Sequence, residues 1–99
     1  MEPPPELMCV GGSASTQIMV VDNDFSPASD TISVNSPVTW TWSGINPHNV
    51  TFTTGPQPLP ATSCTQVAGT HTVTFRTAGQ YNYSCTIHTG MDGSVTVTP

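Results

Sequence analysis

The sequence predicts an all-β fold, a Greek-key antiparallel β-sandwich of about seven to eight short strands. Apolar and polar residues alternate along most of the chain, as in "VTWTW" (38–42), where Val38, Trp40 and Trp42 share one face. Threonine, which favours strands, is frequent, and no stretch of ten residues has helical periodicity. Gly, Pro, Asn and Asp separate the alternating segments, which is typical of turns between short strands.

The chain divides into a tail and one domain. Residues 1–15 are rich in Pro, Gly and Ser, so we expect an N-terminal tail followed by a single domain over 16–99. The first strand contains Ile18 and Val20 and runs into a turn at "DNDFSPASD". "GPQPLPATSC" (55–64) is not a central strand, because its three prolines cannot donate ladder hydrogen bonds. The remaining strands are predicted at 31–34, 38–42, 48–53, 71–77, 80–85 and 93–98.

The charge balance excludes several functions. The chain has six acidic residues and one basic residue, Arg76, and its formal net charge is −5. A protein so poor in cations cannot neutralise phosphates by releasing counterions, so we expect no nucleic-acid binding. It has no apolar run of about 18 residues and no basic face, so we expect no direct membrane insertion. The first residues lack the basic and apolar regions of a signal peptide, so we interpret them as the start of a mature protein.

Three potential metal ligands lie three residues apart in "YNYSCTIHTGMDG" (81–93), namely Cys85, His88 and Met91. Cys85 ends a predicted strand, and Gly90 can adopt a positive φ that turns Met91 back towards the other two. Thiolate and thioether sulfur are soft donors and imidazole is borderline, a set that favours copper over Mg²⁺, Ca²⁺ or Mn²⁺. The alternatives are a small buried Cys85 without a metal, or half of a zinc site, for which methionine is a poor ligand.

A blue copper centre also requires a second histidine. His48 follows Gly-Ile-Asn-Pro and heads a predicted strand, so it lies at one pole of the sandwich. His71 shares a strand face with Val73 and Phe75, which is typical of a half-buried strand residue. We therefore predict His48, and not His71, as the second histidine ligand.

Over residues 18–97 the sequence resembles the cupredoxins, the small blue copper proteins that include plastocyanin, pseudoazurin and amicyanin. The resemblance is carried by "VTWTW", by Pro-His-Asn-Val (47–50), and by the spacing F-x-x-x-G-x-Y-x-Y-x-C-x-x-H that begins at Phe75. The loop "CTIHTGMDGSVTV" (85–97) is similar to that of amicyanin in its short spacing between Cys and Met. Ile87 departs from the family, which often has proline at that position.

The resemblance implies one copper ion bound by four residues. It implies His48, Cys85 and His88 as equatorial ligands and Met91 as the axial ligand. It also implies that the side chain of Asn49 ties the segment of the first ligand to the cysteine loop. The expected function is therefore that of a single-electron carrier with a mononuclear type 1 (blue) copper site.

Other functions remain open at this point. The chain could carry or store copper, or could be a copper domain cut from a larger membrane-anchored redox protein. A copper oxidase or nitrite reductase would need a histidine beside the cysteine, but Ser84 and Thr86 flank Cys85. Four protein ligands also leave no position for a substrate, so we expect no enzymatic activity. A copper-free adhesion sandwich would be separated from all of these by metal analysis.

We expect a monomer with transient redox partners, such as a cytochrome or another electron carrier. A periplasmic or extracellular location is expected, and "EPPPE" (2–6) would suit a tether in a membrane-anchored protein. Cys9 and Cys64 are the cysteines left after Cys85, and in an exported domain they are expected to form a disulfide. The alternative is two free thiols.

Overall fold

The computed structural model describes residues 16–99, which form eight β-strands in two four-stranded sheets. The strands are β1 (Thr16–Val21), β2 (Asp24–Ser26), β3 (Ser29–Ser33), β4 (Ser36–Trp42), β5 (Thr51–Thr54), β6 (Thr70–Phe75), β7 (Gly79–Ser84) and β8 (Asp92–Thr98). One sheet has the order β2-β1-β4-β6 and the other β3-β8-β7-β5. The predicted all-β sandwich is confirmed, and the described residues contain no α-helix.

Two strand pairings are parallel within the sandwich, which the sequence predicted as an antiparallel Greek key. β1 pairs with β4, with Val20 opposite Trp42, and β3 pairs with β8. In each case the chain crosses to the other sheet between the paired strands, and this provides the long crossover connection that parallel strands need. Because β1 and β4 run in the same direction, the segments that follow them emerge at the same end of the sandwich.

Most strand boundaries differ from the prediction by one or two residues, and two differences are larger. The predicted first strand and turn form a hairpin of β1 and β2, with Val21 opposite Asp24. The strand predicted at 48–53 begins only at Thr51, and His48 precedes it in an isolated bridge with Gln66. His48 is therefore held against the proline-containing loop rather than by the sheet.

Aromatic side chains from both sheets form the centre of the core. Tyr83 lies edge-to-face with Trp40 at a centroid distance of 5.3 Å and with Phe25 at 4.7 Å. All three are buried, and burial of side chains of this size contributes about 1.5–3 kcal/mol each. Gly93 lies directly opposite Tyr83 on β8, so the phenol ring covers a position that has no side chain. Val38, Trp40 and Trp42, which the alternation of the sequence places on one face of β4, are all buried. Tyr81, Tyr83 and Cys85 are buried at alternate positions in and just after β7.

Some expectations fall on residues outside the described range. The N-terminal tail of residues 1–15 is one of them, and its boundary with the domain stays a prediction. Cys9 also lies outside the described residues, so its pairing with Cys64 stays a prediction. Cys85 is a free, buried thiol. Within residues 16–99 there is no helix that is long and apolar enough to cross a membrane.

Candidate metal centre

Three ligand-type side chains converge at the end of the sandwich where β4 and β7 end. The Cys85 Sγ atom lies 3.5 Å from His88 Nδ1 and 3.9 Å from His48 Nδ1. The two imidazole rings are 4.6 Å apart between centroids, and the ligand atoms of all three residues lie within 4.8 Å of one another. Metal bonds to sulfur and nitrogen are about 2.0–2.3 Å long for an ion such as zinc, so one ion can contact all three atoms. The donor set of one thiol and two imidazoles fits copper.

His48 is held in place by its backbone. Its N–H donates to Gln66 O and its carbonyl accepts from Gln66 N, both at 3.0 Å. The indole Nε1 of Trp42 donates a further hydrogen bond to His48 O at 2.9 Å. The side chain is fully buried. The sequence predicted this residue at a pole of the sandwich, and the structure brings it to Cys85.

The loop from Cys85 to Met91 is closed by its own backbone hydrogen bonds. Cys85 N donates to Met91 O at 2.9 Å, and Met91 N donates to His88 O at 3.2 Å. Gly90 has a φ of 85°, the left-handed conformation that the sequence predicted for it. Met91 is buried, whereas the side chain of His88 is partly exposed to solvent. The loop therefore presents one buried thioether and one solvent-accessible imidazole.

Asn49 connects three segments around the site, as the resemblance implied. Its Nδ2 donates to Thr86 Oγ1 at 2.9 Å and to Thr65 Oγ1 at 3.0 Å. Its Oδ1 accepts from Thr86 N at 3.1 Å and from Thr51 Oγ1 at 2.9 Å. The amide thus ties the residue that follows Cys85 to the segment that carries His48.

His71 is not part of the cluster. Its ring packs 6.2 Å from Trp40 between centroids, and its Nε2 lies 3.3 Å from Ala61 O. Burial lowers the pKa of His71, and the contact with Ala61 opposes that shift. These contacts fit the interpretation of His71 as a half-buried strand residue.

Asp22 also reaches the site, which the sequence analysis did not predict. Its Oδ1 lies 3.2 Å from His48 Nε2 and accepts hydrogen bonds from the backbone of Ile45 and Asn46. Hydrogen bonds from the backbone of Asn46 and Ile45 lower the pKa of the Asp22 carboxyl, and His48 lowers it further. The sequence showed only that Asp22 lies in the turn after the first strand. This position indicates a role at the site only when the parallel pairing of β1 with β4 is known.

Large apolar side chains are exposed next to the two histidines. Ile45, three residues before His48, is 83% exposed, and Ile87, beside His88, is 49% exposed. Pro47 is exposed as well. All three side chains are accessible to a partner.

Comparison with known proteins agrees with this geometry. Residues 12–98 match the family model of copper binding proteins of the plastocyanin/azurin family. The chain is 33% identical over 87 residues to amicyanin-alpha of Methylorubrum extorquens, covering 86% of this chain and 73% of that protein.

Solved structures show the same fold. The reduced Cu(I) form of a proline-to-glycine variant of amicyanin has a TM-score of 0.77 and 25% identity, covering 88% of this chain and 85% of that one. A purple cupredoxin from Nitrosopumilus maritimus has a TM-score of 0.69 and 27% identity, covering 84% of this chain and 99% of that one. A copper-containing nitrite reductase from Thermus scotoductus has a TM-score of 0.77 at 21% identity, which shows the fold alone, and this chain covers 27% of it. The chain belongs to the plastocyanin/azurin family of copper-binding proteins.

Proposed function

We propose that His48, Cys85, His88 and Met91 hold the one copper ion with which this chain carries single electrons. The observation that supports the assignment is the convergence of a buried thiol and two imidazole nitrogens within 4.8 Å. Met91 completes the set because it closes the same loop and is buried. Copper supplies a one-electron redox couple when it is bound.

The surrounding residues suit electron transfer because they hold the ligands still. His48 is fixed by Gln66 and Trp42, and the cysteine loop is fixed by its own backbone and by Asn49. A ligand set that cannot rearrange gives the two oxidation states similar geometry, so little reorganisation accompanies the electron. The partly exposed His88 offers the shortest route from solvent to the ligand set.

We propose that the protein is a carrier and not an enzyme. Four protein ligands leave no open position for a substrate. The neighbours of Cys85 are Ser84 and Thr86, and the chain has three histidines in all, so it cannot supply a second copper cluster next to the first. Reversible one-electron voltammetry of the copper-loaded protein tests the carrier function. Rapid loss of copper to a chelator, without a reversible wave, would instead indicate copper carriage.

The axial position can be tested through the reduction potential. A thioether stabilises Cu(II) slightly more than Cu(I), so Met91→Leu is expected to raise the potential. Met91→Gln offers a harder oxygen and is expected to lower it. Each shift should exceed about 59 mV, which corresponds to a tenfold change in the preference between the two oxidation states. Shifts in the opposite order, measured by voltammetry, would exclude Met91 as the axial ligand.

We propose that electrons enter and leave at an apolar surface formed by Ile45, Pro47 and Ile87, beside His88. Exposed apolar side chains of this kind suit the small, transient interfaces of redox encounters. The net charge of −5 favours a cationic partner, such as a basic cytochrome. The rate of electron transfer with such a partner should fall as salt is added.

Ile87→Glu tests this surface. The substitution is expected to slow electron transfer about tenfold, equivalent to about 1.4 kcal/mol, without changing the visible spectrum, because it places a solvated carboxylate in the contact. Stopped-flow rates should be measured at high salt, where long-range attraction to the partner is screened. Ser33→Glu is the matched control, since Ser33 is exposed and lies opposite Thr98, at the far end of β8 from the site. Equal rates for the two variants would exclude Ile87 from the contact surface.

We also infer a periplasmic or extracellular location and a monomeric state. The family relationship to amicyanin supports the location. A disulfide between Cys9 and Cys64 would suit an oxidising compartment, and the exposed position of Cys64 leaves it accessible to a partner cysteine.

A further inference from the structure

We infer that Asp22 is a positioning residue that orients the His48 ring and selects the tautomer in which Nδ1 is free to bind copper. This inference rests on the proposal that His48 is a ligand. It concerns a carboxylate in the turn between β1 and β2, 26 residues away in sequence.

The first step is the path of the backbone. Asp22 and Asn23 form the turn between β1 and β2, with Val21 opposite Asp24. Since β1 runs parallel to β4, this turn lies beside the segment that leaves β4, and Ser43 N donates to Val20 O at 2.9 Å. The carboxylate therefore reaches the loop that leads to His48.

The second step is that the two ring nitrogens of His48 have different neighbours. His48 Nε2 lies 3.2 Å from Asp22 Oδ1, whereas His48 Nδ1 lies 3.9 Å from Cys85 Sγ. A carboxylate only accepts hydrogen bonds, and a neutral imidazole carries one N–H and one lone pair. Hydrogen bonding to Asp22 places the proton on Nε2, so the lone pair of Nδ1 faces the cysteine sulfur. Partners of this kind orient metal-bound histidines and raise their basicity.

The third step is that the same carboxylate anchors the loop before His48. Asp22 Oδ1 accepts from Ile45 N at 3.0 Å and from Asn46 N at 2.9 Å. One side chain thus holds both the buried ligand ring and the loop that carries the exposed Ile45. The proposed contact surface and the copper ligand are thereby connected through Asp22.

Gly44 provides an independent observation. A Cβ atom at this position would lie 2.7 Å from Asp22 Cγ and would also overlap the carboxylate oxygen. Only glycine leaves the space that the Asp22 side chain occupies. Gly44→Ala should therefore displace the Asp22 carboxylate without removing it, and it should also shift the turn at Asp22, because the Cβ would lie 2.9 Å from Asp22 N.

The backbone of His48 does not depend on Asp22, because Gln66 and Trp42 hold it independently. Loss of the carboxylate should therefore free the ring while the fold remains. Outer partners of metal-bound histidines typically change metal affinity by about 10–100-fold. We expect a loss of copper affinity in this range for Asp22→Ala and for Gly44→Ala.

The experiment compares the full chain with Asp22→Ala, Asp22→Asn, Gly44→Ala and the control Asp24→Ala. Asp24 belongs to the same hairpin, and its carboxylate contacts only its neighbour Phe25 N among the hydrogen bonds of the described side chains. Circular dichroism first establishes that each variant is folded. Long-range ¹H–¹⁵N correlation spectra of the metal-free proteins then report the tautomer of each histidine, and chelator competition reports Cu(I) affinity.

The wild type and Asp24→Ala should carry the His48 proton on Nε2 and bind copper equally well. Asp22→Ala and Gly44→Ala should show a mixture of tautomers and the 10–100-fold loss of affinity. Asp22→Asn, whose amide oxygen still accepts a hydrogen bond, should keep part of the preference for the Nε2–H tautomer and part of the copper affinity. Unchanged tautomer and copper affinity in a folded Asp22→Ala protein would overturn the inference.

The outcome is distinguishable from failure of the ligand assignment. If His48→Ala kept the copper affinity and spectrum of the wild type, His48 would not be a ligand, whatever the Asp22 variants showed. If His48→Ala lost copper but the Asp22 variants did not, the assignment would stand and the role of Asp22 would be wrong.

Discussion

Cys85→Ser should remove the intense blue colour of the oxidised, copper-loaded protein. The colour of such a centre comes from charge transfer between a thiolate and Cu(II), and a serine hydroxyl provides neither the sulfur nor the negative charge. Cys85 is the only free thiol among the described residues and lies within 3.9 Å of both imidazole nitrogens of the cluster. Visible absorption spectra of matched, copper-loaded samples measure the effect. A blue Cys85→Ser protein would refute the proposed centre.

His71→Ala is the matched histidine control for this experiment. The His71 ring contacts Trp40 and Ala61 and is not part of the cluster, so its removal should leave the colour intact. His48→Ala and His88→Ala should each abolish the blue spectrum. Loss of the colour in a folded His71→Ala protein would mean that the wrong histidine had been assigned.

Of the substitutions proposed here, Gly93→Ala should reduce the free energy of unfolding the most. A Cβ atom at Gly93 would lie 2.5 Å from the hydroxyl oxygen of Tyr83 and 2.7 Å from its Cε2, far inside van der Waals contact. The ring cannot move aside, because it is 1% exposed and packs against Phe25 and Trp40. Overpacking of a core usually costs about 1–3 kcal/mol, and the rigid surroundings place this substitution at about 3 kcal/mol. Urea unfolding of the metal-free protein measures the loss.

Gly90→Ala serves as the comparison for this substitution. Gly90 has a φ of 85°, but a Cβ atom there would meet no atom within 4 Å. The cost is therefore the left-handed backbone alone, about 1–2 kcal/mol. If Gly93→Ala were no more destabilising than Gly90→Ala, the contact with Tyr83 would not limit the packing between β7 and β8.

The parts of the site that are local in sequence were predictable. Cys85, His88 and Met91 lie within one loop, and the absence of a side chain permits the positive φ of Gly90. The buried face of β7 followed from strand alternation. His48 could be selected only by its position before a strand and by the family resemblance, since its bridge to Gln66 has no local signal.

The role of Asp22 could not be predicted because it depends on which strands pair. An antiparallel arrangement of β1 and β4 would have put the turn after β1 at the opposite end of the sheet from the segment after β4. The parallel pairing puts both at the same end, and that pairing is set by contacts between distant segments. Alternation along a strand shows which face is buried but does not identify its neighbour.

The hydrogen bonds that close the loop from Cys85 to Met91 have a consequence for the rate of metal uptake. The chain segments that carry His88 and Met91 are ordered when the protein folds, through bonds such as Cys85 N to Met91 O, so their entropy is lost at that stage. When copper binds to the folded protein, the ligand residues are already in place. The chain therefore does not have to become ordered after the first bond between copper and a ligand has formed. Loading from a small copper complex should then proceed at the rate at which that complex releases its own ligands.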